Sequence, residues 1–131
     1  MDNAKIDLIH EILIQINRAI IQLQKWNKNV TDMRELEMSE DGMQRLAGNC
    51  MLIQAIGEGV KKIDKYGGDY LFHLRPEIPW KQVMSMRDRI SHGYFEIDVD
   101  YITDIIKNDL PQLQNAVENL IKVIEDDLDK S

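Results

Sequence analysis

The chain predicts an all-α fold, an antiparallel helical bundle of about four to five helices, and three observations carry that expectation. Apolar residues recur at alternating steps of three and four through the first, second and last long stretches. No stretch reads as strand. The connections are short, which makes consecutive helices antiparallel neighbours. At 131 residues the chain is expected to be one domain, 1–131, large enough to bury a core.

The first helix follows from Ile6, Ile9, Leu13, Ile16, Ile20 and Leu23, one seam over about six turns. Leu8, Ile12, Ile14 and Ile21 widen its apolar arc, so this helix should have neighbours on two sides. Residues 27–38 are polar and mixed and carry no assignment. Ser39 is the expected cap of the second helix, with Glu40 and Asp41 suited to its positive end. Met43, Leu46, Cys50, Ile53, Gly57 and Val60 then form its inner seam. Gly57 and Gly59 cost helix propensity, and close helix approach or a kink would explain them. Tyr66-Gly67-Gly68 ends it.

Pro79 is placed to open a short third helix, with Trp80, Val83, Met84, Arg87 and Ile90 inward and Gly93 at its end. The fourth starts near Asp98 or Asp100. Pro111 imposes either a kink or a fresh start with Asp109 as cap. Leu110, Leu113, Val117, Leu120 and Ile124 carry the seam onward.

Charge is unevenly distributed. Residues 1–60 hold 6 basic and 9 acidic side chains, residues 61–92 hold 7 and 4, and residues 93–131 hold 3 and 10. The only positive segment (Lys61, Lys62, Lys65, Arg75, Lys81, Arg87, Arg89) therefore sits within a net charge of −7. Local phosphate binding is allowed, whereas long-range steering of RNA is not expected. There is no apolar run of membrane-spanning length and no signal-like N-terminus, so the expected location is the cytoplasm, without membrane association. The single cysteine, Cys50, lies in an apolar stripe and reads as a packed thiol.

Chemistry concentrates in Arg87-Asp88-Arg89-Ile90-Ser91-His92-Gly93-Tyr94, an R-x-x-x-x-H-x-Y arrangement. A guanidinium and an imidazole facing one phosphate can cleave RNA without metal. The 2′-hydroxyl attacks, His92 moves a proton, and Arg87 binds the phosphate. On an unbroken helix, residues 87 and 92 would lie about 140° apart. Gly93 is expected to unwind the helix there. The end of a helix also carries partial negative charge, which favours an imidazolium. By themselves, an arginine and a histidine near a helix end are more often a capping or salt-bridge pair, and Tyr94 a half-buried aromatic. His10 and His73 lack a second ligand at metal spacing, and Asp98, Asp100 and Asp104 read as caps, so no metal and no cofactor are expected.

The segment "IPWKQVMSMRDRISHGYFEIDVDYI" (Ile78 to Ile102) resembles the signature of HepT-like proteins, HEPN-domain toxins paired with an MntA-type nucleotidyltransferase antitoxin. The likeness extends through "LIQAIGEGVKKI" upstream and "IIKNDLPQLQNAVENLI" downstream, about two thirds of the chain. It implies a HEPN-like homodimer, with Arg87 and His92 as the catalytic pair duplicated across a dimer cleft. It implies a type VII-like toxin–antitoxin ribonuclease, silenced when the antitoxin transfers AMP to Tyr94. Asp88 stands where the family carries Asn or Asp, and Glu58 resembles a common acidic position. Both are supporting candidates, although a neighbouring salt bridge explains Glu58 equally well. Two alternatives stay open: a non-catalytic helical binding partner of a nucleotidyltransferase, and a structural helical dimer.

Overall fold

The computed structural model describes residues 2–90 and 96–130, and every statement below concerns those residues. Helix α1 (Asn3–Trp26) begins at Asp2, whose side chain accepts from the Lys5 N–H at 2.9 Å. Its seam is buried as expected at Ile9, Leu13, Ile16, Ile20 and Leu23, with Ile12 added. Leu8 and Ile21, at the edges of the arc, stay partly in solvent.

Helix α2 (Glu40–Lys65) starts at Ser39, whose hydroxyl accepts from the Gly42 N–H at 3.0 Å. Between α1 and α2, the unassigned stretch forms a 3₁₀ helix, Met33–Met38, which inserts Met33 and Leu36 into the core. The buried line of α2 differs from the expected one. It runs Leu46, Asn49, Ile53, Ile56, Val60 and Ile63, while Met43 is exposed and Cys50 half-buried. The cause is Asn49, a polar residue in a core position. Its carboxamide exchanges two hydrogen bonds of 2.9 Å with that of Asn27, which also donates to the Leu23 carbonyl at 2.7 Å. The Lys107 ammonium donates to the Asn27 carbonyl, so this amide pair ties α1, α2 and the last helical stretch together.

The expected close approach at the glycines is present, and α2 runs unbroken past them. A Cβ on Gly59 would lie 2.8 Å from Ile16 Cγ1, and one on Gly57 would lie 2.9 Å from the Val83 carbonyl oxygen. Gly48 approaches the Trp26 ring and Gly68 approaches Ile9, so positions rise along α1 as they fall along α2. The two helices are antiparallel. Helix α2 ends where the sequence indicates: Gly67 has φ +84°, and the Gly68 N–H donates to the Ile63 carbonyl at 2.8 Å.

A single turn, α3 (Asp69–Phe72), leads to α4 (Trp80–Met84) and α5 (Met86–Arg89). Phe72 and Trp80 stack at 4.6 Å, and the Trp80 indole N–H donates to the Arg75 carbonyl. Pro79 flanks α4 rather than opening it, a difference of one residue. More consequential is the break at Ser85, whose hydroxyl donates to the Lys81 carbonyl. Across it, Val83, Met86 and Ile90 keep helical steps of three and four on the core side, and Arg87 faces out. Arg87 is 63% exposed, contrary to its expected inward position.

Asp98 caps α6 (Val99–Asp104) by accepting from the Tyr101 N–H at 3.0 Å. The path then continues through a π turn, Ile105–Asp109, into α7 (Leu110–Asp129). In that turn the Leu110 N–H donates to the Ile105 carbonyl, five residues back. Pro111, which has no N–H, is absorbed without a break, and Asp109 makes no capping bond. The expected seam of α7 is buried throughout. His10 and Glu125 meet at 2.9 Å and, with Asn27 and Lys107, show α7 antiparallel to α1. Helix α1 thus lies between α2 and α7, the two-sided environment its apolar arc requires. No described helix is long and apolar enough to cross a membrane.

Candidate active site

Helix α5 is one turn long and carries the arginine of the motif. Met86 and Ile90 anchor its inner side, and α2 lies alongside it at Glu58. Arg87 Nη1 is 3.9 Å from Glu58 Oε1, and Lys61 Nζ approaches the same oxygen at 3.7 Å. All three side chains are roughly half-exposed, so each contact contributes about 0–1 kcal/mol and is easily exchanged. The structure therefore brings Arg87 and Glu58 together, which the sequence offered only as one reading of Glu58. Asp88 is exposed on the outer side of α5 and pairs with neither arginine.

His92 and Tyr94 lie outside the described residues. Their flanks are well anchored. Ile90 is buried, and its carbonyl accepts from the Asp98 N–H at 2.9 Å, joining the two ends of the segment between them. The remaining acids named from the sequence have other work: Asp100 pairs with Arg34 at 2.6 Å and Asp104 accepts from Asn108 at 2.6 Å. Cys50 matches its expected role, since burial raises its thiol pKa and disfavours the thiolate.

Sequence reasoning missed the other flank of α5. The Arg89 guanidinium lies over the Tyr101 ring, 4.2 Å from its centre. Burial raises the Tyr101 phenol above its ordinary value, despite the opposing charge of Arg89. Beside this stack is a cavity of about 230 Å³ reaching to Asp104 and Asp109. Spacing alone could not reveal it, because its walls come from α4, α5, α6, the π turn and the start of α7.

A ribonuclease HepT-like family model matches residues 16–120, which include both flanks of the motif. The chain belongs to that family. Among similar proteins, one from Thermococcus cleftensis named "Probable ribonuclease HepT" is 39% identical over 70 residues, covering 53% of this chain and 60% of the relative. A "Putative RNase" of Methanocaldococcus jannaschii is 36% identical over 73 residues, covering 56% and 57%. A "Putative RNase" of Caldanaerobacter subterraneus is 29% identical over 70 residues, covering 53% and 59%. The chain thus spans about three fifths of the length of these curated relatives. No solved structure matches it. In this HepT-like chain the arginine of the motif is the member the fold holds in open view.

Proposed function

We propose that this HepT-like chain is a metal-independent endoribonuclease, the toxin of a type VII-like toxin–antitoxin pair. The observation that carries the reading is Arg87. It is exposed on an anchored helical turn, held among the described residues by the weak contact with Glu58, and belongs to an R-x-x-x-x-H-x-Y motif in a ribonuclease family. An arriving phosphate displaces a pairing of small energy and gains a charge-assisted, potentially bidentate one. His92 accepts the proton of the 2′-hydroxyl as that oxygen attacks phosphorus. The P–O5′ bond breaks, a second imidazole protonates the leaving oxygen, and the products are a 2′,3′-cyclic phosphate and a 5′-hydroxyl.

A homodimer supplies that second imidazole. Among the described residues helix α7 exposes no large hydrophobic side chain, while α1 exposes Leu8 and Ile21 and α2 exposes a continuous apolar line. Met43, Ala47, Met51 and Ala55 follow at four-residue steps, all exposed, along a line continuing to Glu58. Two copies joined there bring their Arg87 residues toward one cleft. The cognate MntA-like nucleotidyltransferase silences the toxin by adenylylation: the Tyr94 oxygen attacks the α-phosphorus of ATP, and pyrophosphate leaves. The added negative charge beside Arg87 then blocks the phosphate site.

The test is purified, unmodified protein on total RNA in EDTA, compared with Arg87→Ala and His92→Ala at equal helicity. Cleavage to a cyclic phosphate by wild type alone supports the reading, and equal cleavage by all three refutes it. Intact mass after incubation with the nucleotidyltransferase, ATP and Mg²⁺ should show AMP additions that Tyr94→Phe abolishes. The net charge of −7 favours one second reading, a non-catalytic partner of the nucleotidyltransferase. An intact, well-folded wild type that binds this partner but cuts no RNA would establish it.

A further inference from the structure

The cavity beside Arg89 lies on the opposite flank of α5 from Arg87. With Met86 and Ile90 turned inward, residues 87 and 89 leave the one-turn helix on its two sides. Its walls combine apolar side chains, Val83 and Met86 among them, with the Arg89–Tyr101 stack and the carboxylates of Asp104 and Asp109. On a regular α-helix, residues five apart point about 140° away from each other. The π turn between Asp104 and Asp109 closes over five residues, which returns the second carboxylate to the side of the first. Their mutual influence is visible in Asp109, whose proton is held more tightly because of burial and then of Asp104.

These groups define the ligand by exclusion. Two carboxylates against one guanidinium leave the cavity net negative, so it disfavours a phosphate. The flat Arg89–Tyr101 surface, whose guanidinium has no carboxylate at salt-bridge distance among the described residues, favours a planar ring over a compact cation. What remains is a flat, neutral heterocycle that stacks on an arginine–tyrosine platform and presents N–H donors to a carboxylate. The volume of about 230 Å³ lies below the range of drug-sized sites and suits a single base. Guanine alone among the RNA bases offers two adjacent donors, N1–H and N2–H, on its pairing edge. Asp104 is already engaged by Asn108, which leaves Asp109 as the reader.

We infer that this cavity is a guanine-reading subsite for the RNA strand, with Asp109 accepting from the base edge and Arg89–Tyr101 as its stacking surface. The inference rests on the ribonuclease reading, and it makes cleavage base-selective rather than indiscriminate. A helix with its side chains is about 10–12 Å across, so a strand with a phosphate at Arg87 would have to pass around α5 to set a nearby base in the cavity.

The experiment has two arms on the full chain. In the first, oligonucleotides carrying guanine at one position within otherwise identical adenine-, uridine- and cytidine-based strands are cut and their ends mapped. Wild type should favour sites adjoining guanine by about tenfold or more, the discrimination of one bidentate contact. Asp109→Asn should reduce that ratio, and adenine should gain, because a carboxamide offers the donor and acceptor that match adenine. In the second arm, guanosine and the other three nucleosides are titrated while NMR follows the Tyr101 ring and the Arg89 side chain. Selective shifts with guanosine, weakened in Asp109→Asn, support the subsite even if no RNA is cut, in which case the ribonuclease reading falls alone. Cleavage without base preference, together with no nucleoside-selective shift, overturns the subsite and leaves the ribonuclease reading standing.

Discussion

Replacing Gly57 with alanine tests whether the α2–α4 contact positions the site. The new Cβ would lie 2.9 Å from the Val83 carbonyl oxygen and 3.6 Å from that of Met84, both backbone atoms that cannot rotate away. Alanine gains about 0.8–1 kcal/mol over glycine in helix propensity. Forcing a methyl into a filled contact costs about 1–3 kcal/mol. The control is Gly48→Ala on the same helix, where the nearest atom is the Trp26 ring at 3.2 Å. That ring is 37% exposed and can move. Propensity cancels between the two variants, so the difference in their unfolding free energies isolates the clash at about 1–3 kcal/mol. Urea unfolding followed by far-UV circular dichroism measures it. In Gly57→Ala, α4 must retreat, and α5 with Arg87 follows, so RNA cleavage should fall as well. Should Gly57→Ala match Gly48→Ala within about 0.5 kcal/mol, the packing argument at Val83 is wrong.

The Asn27–Asn49 pair should be strongly coupled: alanine at either position leaves the other side chain's amide oxygen without its donor, and a double-mutant cycle should give an interaction of roughly 0.5–3 kcal/mol. Simple additivity would show that the reciprocal bonds contribute nothing. Because Asp109 binds its proton more tightly folded than unfolded, its contribution to stability is complete at low pH and is lost as pH rises through the folded-state value. Asp109→Asn should therefore raise Tm at neutral pH, with the gain disappearing in acid; an equal gain at both would contradict the shift. Finally, if the proposed dimer forms through the exposed line of α2, Met51→Lys should sediment as monomer where the wild type sediments as dimer. A wild type that is already monomeric at micromolar concentration would remove the dimer from the mechanism.

The parts of the fold legible in the sequence were those written as period. The seams of α1 and α7, the Ser39 and Asp98 caps and the Gly67–Gly68 stop all rest on local rules and stand where those rules put them. The misreadings share a different cause. Met43 was assigned to a seam that Asn49 displaces, and the worth of a buried asparagine depends on a partner 22 residues away. Arg87 was turned inward by continuing the seam from Val83 with a step of four, whereas the buried side steps by three to Met86 and then to Ile90. The π turn solves the problem of Pro111 in a way that proline alone does not specify. At the site, residue type and spacing pointed to Arg87 and the family resemblance raised Glu58, but no spacing rule joins Arg89 to Tyr101 or folds Asp104 and Asp109 around one cavity.

The Gly57-Glu58-Gly59 step has a consequence for how this protein can change. Three successive residues face three different neighbours: α4, the motif arginine and α1. The same stretch of backbone therefore sets both the spacing of the bundle and the environment of the motif arginine. A substitution there cannot tune one without moving the other, so stability and activity should vary together across variants of this tripeptide. On the exposed line of α2 only a few residues earlier, no neighbour within the bundle imposes that double constraint, so substitutions there should act through the proposed dimer face and leave the packing of the bundle unchanged.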